Sequence, residues 1–350
     1  MYKEIKNLHD ALYDEESKYI FRQLIAYSLS EKWEDLKRFL LYVKGQQRHK
    51  TLDIWSLVAH PEDYAEKSIV VFGAGFWGEV CTQILSLSGL KIDYYCDNSE
   101  EKAGKEFQGK RILSADELKE KCRDALVVIA VDRFEKDIAD QLHRYGYNEK
   151  QIVRLRDTKQ KVYFDDEIVS SAGDDVFVDG GCYDGYTTEE FLRWTDSAKK
   201  IYAFEPDASN FKKCEQYFKK NVTVPYALEM AGLYKTNGML SFSDTHDVAA
   251  RFSETGHVQV SVVSLDEVIG AEEKITFIKM DIEGMELEAL HGAVHTLQRC
   301  QPTMAICLYH KPEDIWEIPR FVHEVLPSHR LYIRHYSPWV FDTILYAVPT

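Results

Sequence analysis

The chain has 350 residues, enough for two domains that each bury a core. Hydrophobic residues make up 45% and charged residues 29%, an ordinary globular balance, and the net charge of -15 is spread along the sequence. That charge argues against nucleic acid as the main partner, because Lys and Arg must neutralise its phosphates.

The seven cysteines are odd in number and form no CxxC pair. Several lie in apolar runs such as MAICLYH, where a cysteine acts as a small buried hydrophobe. A reducing, cytoplasmic compartment is expected. The N-terminal stretch MYKEIKNLHDALYDEESKYI lacks the apolar centre of a signal peptide. No apolar run approaches the roughly 20 residues of a spanning helix, so no membrane span is expected.

Residues 1–61 read as a helical N-terminal segment. Leu8, Leu12 and Tyr13 make one stripe, while Trp33, Leu36, Phe39, Leu40 and Val43 recur at intervals of three and four. Ser30 is expected to cap the second helix. No catalytic chemistry is visible here, and a structural cap or a homodimer contact is the expected role.

From Ser68 the period changes. SIVVF, KIDYYCD, ALVVIAV and QIVRL read as strands, separated by the helices of EVCTQILSL and FEKDIADQLHRYG and by a helix that Ser114 and Glu117 open with a capping box. Alternating strands and helices imply a parallel sheet, so residues 62–155 are expected to form a small Rossmann-like domain. Residues 157–173 are polar and unpatterned, and read as the connection.

A second alternating series fills residues 165–350. Its strands are DVFVDGG, KKIYAFEP, NVTVPYAL, ITFIKMD and TMAICLYH, with MLSFS and VQVSVVS as an inserted hairpin region. MELEALHGAVHTLQR reads as one helix, and IWEIPRFVHEVL as another. HRLYIRHYS and TILYAVP close the chain, joined at Ser337 and Pro338. The fold expected is thus α/β with two Rossmann-like domains, the second a mixed seven-stranded sheet whose last strand is antiparallel.

The loop DGGCYDG, residues 179–185, lies between a strand and a helix, with Thr187, Thr188, Glu189 and Glu190 expected to form a capping box. Its glycines let a ligand approach beyond the carboxyl ends of the strands. Asp179 would repel a pyrophosphate at the helix N-terminus and favour a cationic ligand, which suits the sulfonium and ammonium of S-adenosyl-L-methionine. About 20 residues after Gly185, Glu205 ends the next strand ahead of Pro206, where a carboxylate accepts both hydroxyls of a ribose. The donor-binding candidates are Asp179, Gly180, Gly181, Cys182, Tyr183, Asp184, Gly185, Thr187, Thr188, Glu205, Pro206, Ala227 and Asp281.

Residues 73–78, GAGFWG, are a literal GxGxxG followed by Asp97 after the second strand. This pattern alone is a weak dinucleotide signal, Phe76 and Trp77 are bulky within the turn, and no hydride-transfer partner follows. It leaves bound NAD, a nucleotide sugar or a ligand-free structural domain open, and with them two rivals: an NAD-dependent oxidoreductase and a non-catalytic sugar-nucleotide-binding protein.

VFVDGGCYDGYTT, YAFEPD, VSLDEV and above all FIKMDIEGMELEALHGA resemble the FkbM-like family of S-adenosylmethionine-dependent methyltransferases, over roughly residues 165–350. CLYHKPEDIWEIP, LYIRHYS and ILYA resemble a branch with an extra N-terminal Rossmann-like domain. Asp184 and Gly185 depart from the Asn-x-Gly loop of many relatives. The resemblance implies a class I methyltransferase fold, S-adenosyl-L-methionine as donor, and O-methylation of a sugar or glycoconjugate hydroxyl. Asp179 and the glycines then form the donor loop, Glu205 holds the ribose, and Asp281 faces the reacting end.

An alcohol acceptor needs a positioned base. Asp281 and Glu283 follow one strand and His310 another, on the same rim of the sheet. His310 is the preferred base, with Asp281 as orienting residue and Glu283 as a further catalytic or turn-shaping acid. Asp281, Glu283 and His310, or the pair His291 and His295, offer metal-ligand atoms, but no cluster shows ligand spacing and no metal is expected. Lys311, Arg334 and His335 suggest a basic rim.

Overall fold

In the computed structural model, residues 2–46, 52–131, 134–155, 162–242, 258–337 and 339–350 are described. Part of the connection (156–161), the tip of the inserted hairpin (243–257) and Pro338 lie outside the described residues. The chain forms two units. The smaller holds Ser30–Gln160 with Ser337–Trp339, and the larger holds Met1–Leu29, Lys161–Tyr336 and Val340–Thr350.

The smaller unit has strands β1 (Ile69–Phe72), β2 (Tyr94–Cys96), β3 (Glu106–Phe107), β4 (Lys110–Leu113), β5 (Leu126–Ile129) and β6 (Ile152–Arg154). They lie in the order β3-β4-β2-β1-β5-β6, all parallel except β3. Val70, Val127 and Ile129 are fully buried, as a parallel sheet covered on both faces requires. The β3–β4 hairpin was not anticipated, and it turns through Gln108 and Gly109, both at positive φ. Ser114 and Glu117 do form the capping box.

The helices before residue 61 divide between the units, and there are more of them than the pattern suggested: Tyr2–Ala11, Glu15–Ser30, Trp33–Gln46 and Ile54–Ala59. Ser30 ends a helix instead of capping the next one; its hydroxyl donates to Asp35.

The larger unit contains β7 (Asp175–Gly180), β8 (Ala198–Phe204), β9 (Tyr226–Glu229), β10 (Gly232–Leu233), β11 (Gly238–Phe242), β12 (Val258–Val263), β13 (Phe277–Met280), β14 (Thr303–Cys307), β15 (Arg330–His335) and β16 (Thr343–Val348). Seven of them form one mixed sheet in the order β15-β16-β14-β13-β7-β8-β9. β14, β13, β7, β8 and β9 are parallel, and β16 runs against both β14 and β15. The reversed final strand is therefore as expected. β11 and β12 pair antiparallel in a separate small sheet with β10. Phe164, Phe177, Phe191 and Phe277 are buried against the large sheet, with Phe177 and Phe191 stacked at 4.2 Å.

The single helix expected after residue 285 is two, Glu286–His291 and Val294–Cys300. The break falls at Gly292, where a Cβ would collide with the backbone carbonyl of Tyr234. His291 and His295 consequently stand on different helices, and His291 packs edge-on to Phe321.

The first two helices cover the edge strand β15. Tyr13 N donates to Leu331 O at 2.9 Å, and Ile333 N donates to Ser17 Oγ at 2.9 Å. Arg334 donates to Asp14 Oδ2 at 2.6 Å and lies 3.4 Å from Glu16. His335 is buried against Thr343 Oγ1. Arg334 and His335 thus tie down a sheet edge and do not form the basic rim anticipated for them. Arg334→Ala is expected to destabilise this unit by about 1.5 to 3 kcal/mol, because Asp14 loses a charged donor; thermal unfolding checks it.

Candidate active site

β7 and β13 are neighbours in register, with Asp179 opposite Lys279. Lys279 is the charged member of an otherwise apolar strand, and its side chain is 2% exposed. Its Nζ lies 3.3 Å from Asp179 Oδ1 and donates to the carbonyls of Gly180 at 3.0 Å and Gly181 at 2.7 Å. Burial works to lower its pKa, but the charges of Asp179 and Asp281 outweigh this and raise it, so the ammonium stays charged. Asp179, fully buried, also accepts from Thr188 Oγ1 at 2.8 Å.

Two expectations change here. The charge of Asp179 meets Lys279 and not the crevice, so Asp179 holds the loop in shape instead of attracting a cation directly. Thr188 serves Asp179, and the helix Tyr186–Trp194 starts from Gly185 with no side-chain cap, so the expected capping box is not formed.

The loop itself follows from this clamp. Gly181 and Cys182 donate their N–H groups to Phe204 O, and Asp281 N donates to Gly180 O. Gly181 has φ +75, and a Cβ there would collide with the Asp281 carbonyl. Glycine is required at the point where the loop crosses the turn that bears Asp281. Cys182 is buried, with its Sγ 3.2 Å from Cys214 Sγ. Tyr183, at φ 51, points to solvent with Lys213 over its ring. Asp184 accepts from Tyr186 N, and Thr187 is half-buried in the first helical turn.

Glu205 ends β8 and is 6% exposed. Its Oε2 accepts from Tyr183 N and its Oε1 from Asp207 N, both at 2.9 Å. Burial pushes its carboxyl up to about 7 against the pull of these amides. Pro206 follows and lies against Gly232. Ala227 pairs with Tyr202, two residues inside β9. It is about 10 Å short of the level of Glu205 at ordinary strand rise, so β9 meets the rim through Glu229 and Met230 instead.

On the other side of the loop, β13 and β14 deliver an acidic cluster. Asp281 accepts from Tyr163 OH at 2.8 Å and Tyr309 OH at 3.0 Å, and His310 Nε2 lies 3.3 Å away. The same nitrogen is 3.6 Å from Glu283 Oε2, while Nδ1 lies 2.9 Å from Glu286 Oε1. Both imidazole nitrogens therefore face carboxylates. Burial opposes the charge on His310, yet Asp281 and Glu286 lift its pKa to about 11. Burial likewise works to raise Asp281, but His310 and Lys279 hold it well below the usual carboxylate range. His310 is thus held between acids on both sides of its ring. Glu283, at φ 56, stands at the lip with its side chain 45% exposed.

Lys279, Tyr163, Tyr309 and Glu286 were not anticipated as site residues. A lysine inside a buried apolar strand was the available signal for Lys279. Tyr163 gave none, since it comes from the polar connection and reaches Asp281 across 118 residues of sequence.

In the smaller unit, the GxGxxG loop is tied to Asp97. Its Oδ2 accepts from Ala74 N and Lys102 Nζ, both at 3.0 Å, and its Oδ1 from Ser99 N at 2.9 Å. Unlike Glu205, the acid that would bind a dinucleotide ribose is also paired with a lysine ammonium, which disfavours NAD.

Residues 179–335 match the family described as the methyltransferase FkbM domain. Over this stretch the chain is similar to the FkbM methyltransferase family, which supports a methyltransferase domain there. Residues 65–153 match the family described as C2185-like, N-terminal. Among solved structures, the methyltransferase FkbM of Methylobacillus flagellatus KT is 16% identical, with 91% of this chain and 100% of that chain covered at a TM-score of 0.47. SMU.1697c, a putative methyltransferase from Streptococcus mutans in complex with SAH, is 13% identical over 52% and 90% of the chains, with a TM-score of 0.34. Aeropyrum pernix fibrillarin with natively bound S-adenosyl-L-methionine is 11% identical over 51% and 67%, with a TM-score of 0.33. At these scores the likenesses carry no weight of their own. No curated protein matches the chain in sequence.

The clamp makes a quantitative prediction. Lys279→Met leaves Asp179 buried and uncompensated, at an expected loss of roughly 3 to 5 kcal/mol. Adding Asp179→Asn is expected to recover most of it, since the amide oxygen still accepts from Thr188. Denaturant unfolding of the three proteins measures both.

Proposed function

We propose that the chain transfers a methyl group from S-adenosyl-L-methionine to a hydroxyl of a sugar, nucleotide sugar or glycoconjugate precursor, in the cytoplasm. The observation that carries the donor assignment is Glu205, a carboxylate at the end of the second strand whose two oxygens are oriented by backbone amides of the adjoining loop. In this reading Glu205 accepts the ribose hydroxyls, while the loop 180–185, Thr187, Pro206 and the end of β9 enclose the nucleoside.

The donor supplies a methyl group already activated on a cationic sulfur. The protein aligns it with the acceptor and excludes water. Because Asp179 is neutralised internally, the negative charge facing that sulfur comes from Asp281 and Glu283. Asp281, engaged by Tyr163, Tyr309 and His310, orients the reactants. Glu283, the cluster's carboxylate at the lip, accepts the acceptor's hydroxyl proton.

Carboxylates and phenols along the rim suit a polyhydroxylated acceptor and disfavour nucleic-acid phosphates. Free buried thiols, with Cys182 and Cys214 close but unbonded, support a reducing compartment. Among the described residues no helix is long and apolar enough to cross a membrane. We read residues 62–155 as a Rossmann-like domain and 165–350 as the catalytic one. The first two helices lend a homodimer no support, since Leu8, Leu12, Ile20 and Phe21 are buried in their own unit.

Calorimetric titration with S-adenosyl-L-methionine tests the reading. Binding is expected at pH 8 and is expected to weaken by roughly tenfold at pH 6. The ionised carboxylate of Glu205 is the form that accepts the ribose, and it is lost as the pH falls through about 7. Glu205→Gln is expected to bind weakly at both pH values. Absence of heat at either pH would reject the donor. For the chemical step, Glu283→Gln is expected to lower kcat by roughly 100-fold to 10,000-fold, with a smaller loss of donor affinity; labelled-methyl transfer to a panel of nucleotide sugars measures it.

A further inference from the structure

We propose that Asp281, Glu286 and His310 bind a divalent first-row metal ion, with Glu286 in place of the Glu283 that the sequence offered beside Asp281 and His310. The three come from separate points of the sheet rim: the end of β13, the start of the helix Glu286–His291, and the segment after β14. Each offers one ligand atom, and the three atoms lie within 4.8 Å of one another. An ion held at about 2.0 to 2.2 Å from each needs donors about 3 to 4.4 Å apart, so small side-chain rotations close the shell.

A second observation points the same way. Glu286 is fully buried, and its Oε2 has no hydrogen-bond partner. Its Oε1 accepts from Ile282 N at 2.8 Å, which fixes the carboxylate in the site. His310 Nδ1, on a side chain 10% exposed, faces Glu286 Oε1 at 2.9 Å but without hydrogen-bond alignment. A buried carboxylate oxygen and a buried imidazole nitrogen left unsatisfied at the same place are costly unless a cation joins them.

The neighbouring cation does not supply that charge. Lys279 is committed to Asp179 and two loop carbonyls. Meanwhile Tyr163 and Tyr309 donate to Asp281 in the manner of groups that orient a metal ligand from behind. Two carboxylates with one imidazole form an oxygen-rich set with one nitrogen, which suits manganese, iron or zinc better than a soft metal. Three protein donors leave coordination positions for water or a hydroxyl ligand. The inference does not depend on the methyl-transfer reading, because the ligand set is complete without donor or acceptor.

The test uses the full chain, stripped with a chelator and titrated with Mn2+, free ion being followed by electron paramagnetic resonance. One ion per chain is expected, displaced by Zn2+. Glu286→Gln and His310→Asn, each checked for retained fold by circular dichroism, are expected to weaken Mn2+ binding at least about tenfold. Asn210→Ala, on the helix Ala208–Asn221 and outside the ligand set, is expected to leave it unchanged. If one ligand variant fails to fold, the other decides. No saturable binding of Mn2+ or Zn2+ to the stripped wild type would overturn the proposal, as would binding equal in wild type and folded ligand variants.

Discussion

The ion pair between Lys279 and Asp179 is the constraint on which the site depends. A lysine and an aspartate sit opposite each other on adjacent central strands, where any unpaired charge is prohibitive. The ammonium resolves this by gathering one carboxylate and two carbonyls of the glycine loop. The loop's path is thereby fixed from below, and Gly181 passes against the Asp281 carbonyl where no side chain fits. One buried cation links the glycine loop after β7 to the acidic turn after β13, so the two halves of the candidate site are registered by the sheet itself.

That linkage separates two tasks. On the β8 side, Glu205 is held by backbone amides and half-way to protonation near neutrality. On the β14 side, Asp281, Glu283 and Glu286 surround a single imidazole. With the histidine held between acids, the proposed methyl transfer gives the proton-accepting role to Glu283 at the lip.

Much of this fold was legible because its strands are β-branched and aromatic runs bounded by Gly, Pro and Asp; SIVVF, DVFVDGG and TMAICLYH fall on β1, β7 and β14. The rim acids were legible because an acid directly after a buried strand has few other places to go. What escaped was set by tertiary contact. The helix breaks at Gly292, where the Tyr234 carbonyl leaves no room for a side chain, and Tyr163 becomes a site residue only because the connection folds back over Asp281. Thr188 and Arg334 carried motifs of local capping and of surface charge, yet Asp179 in the strand before the loop and Asp14 in the N-terminal segment claimed them.

A crystal structure of the protein with S-adenosylhomocysteine tests the central claim most directly. The account predicts the ribose hydroxyls on Glu205, the sulfur toward Asp281 and Glu283, and the Lys279–Asp179 pair intact beneath the loop. A nucleoside bound away from Glu205, or a loop displaced with that pair broken, would contradict it.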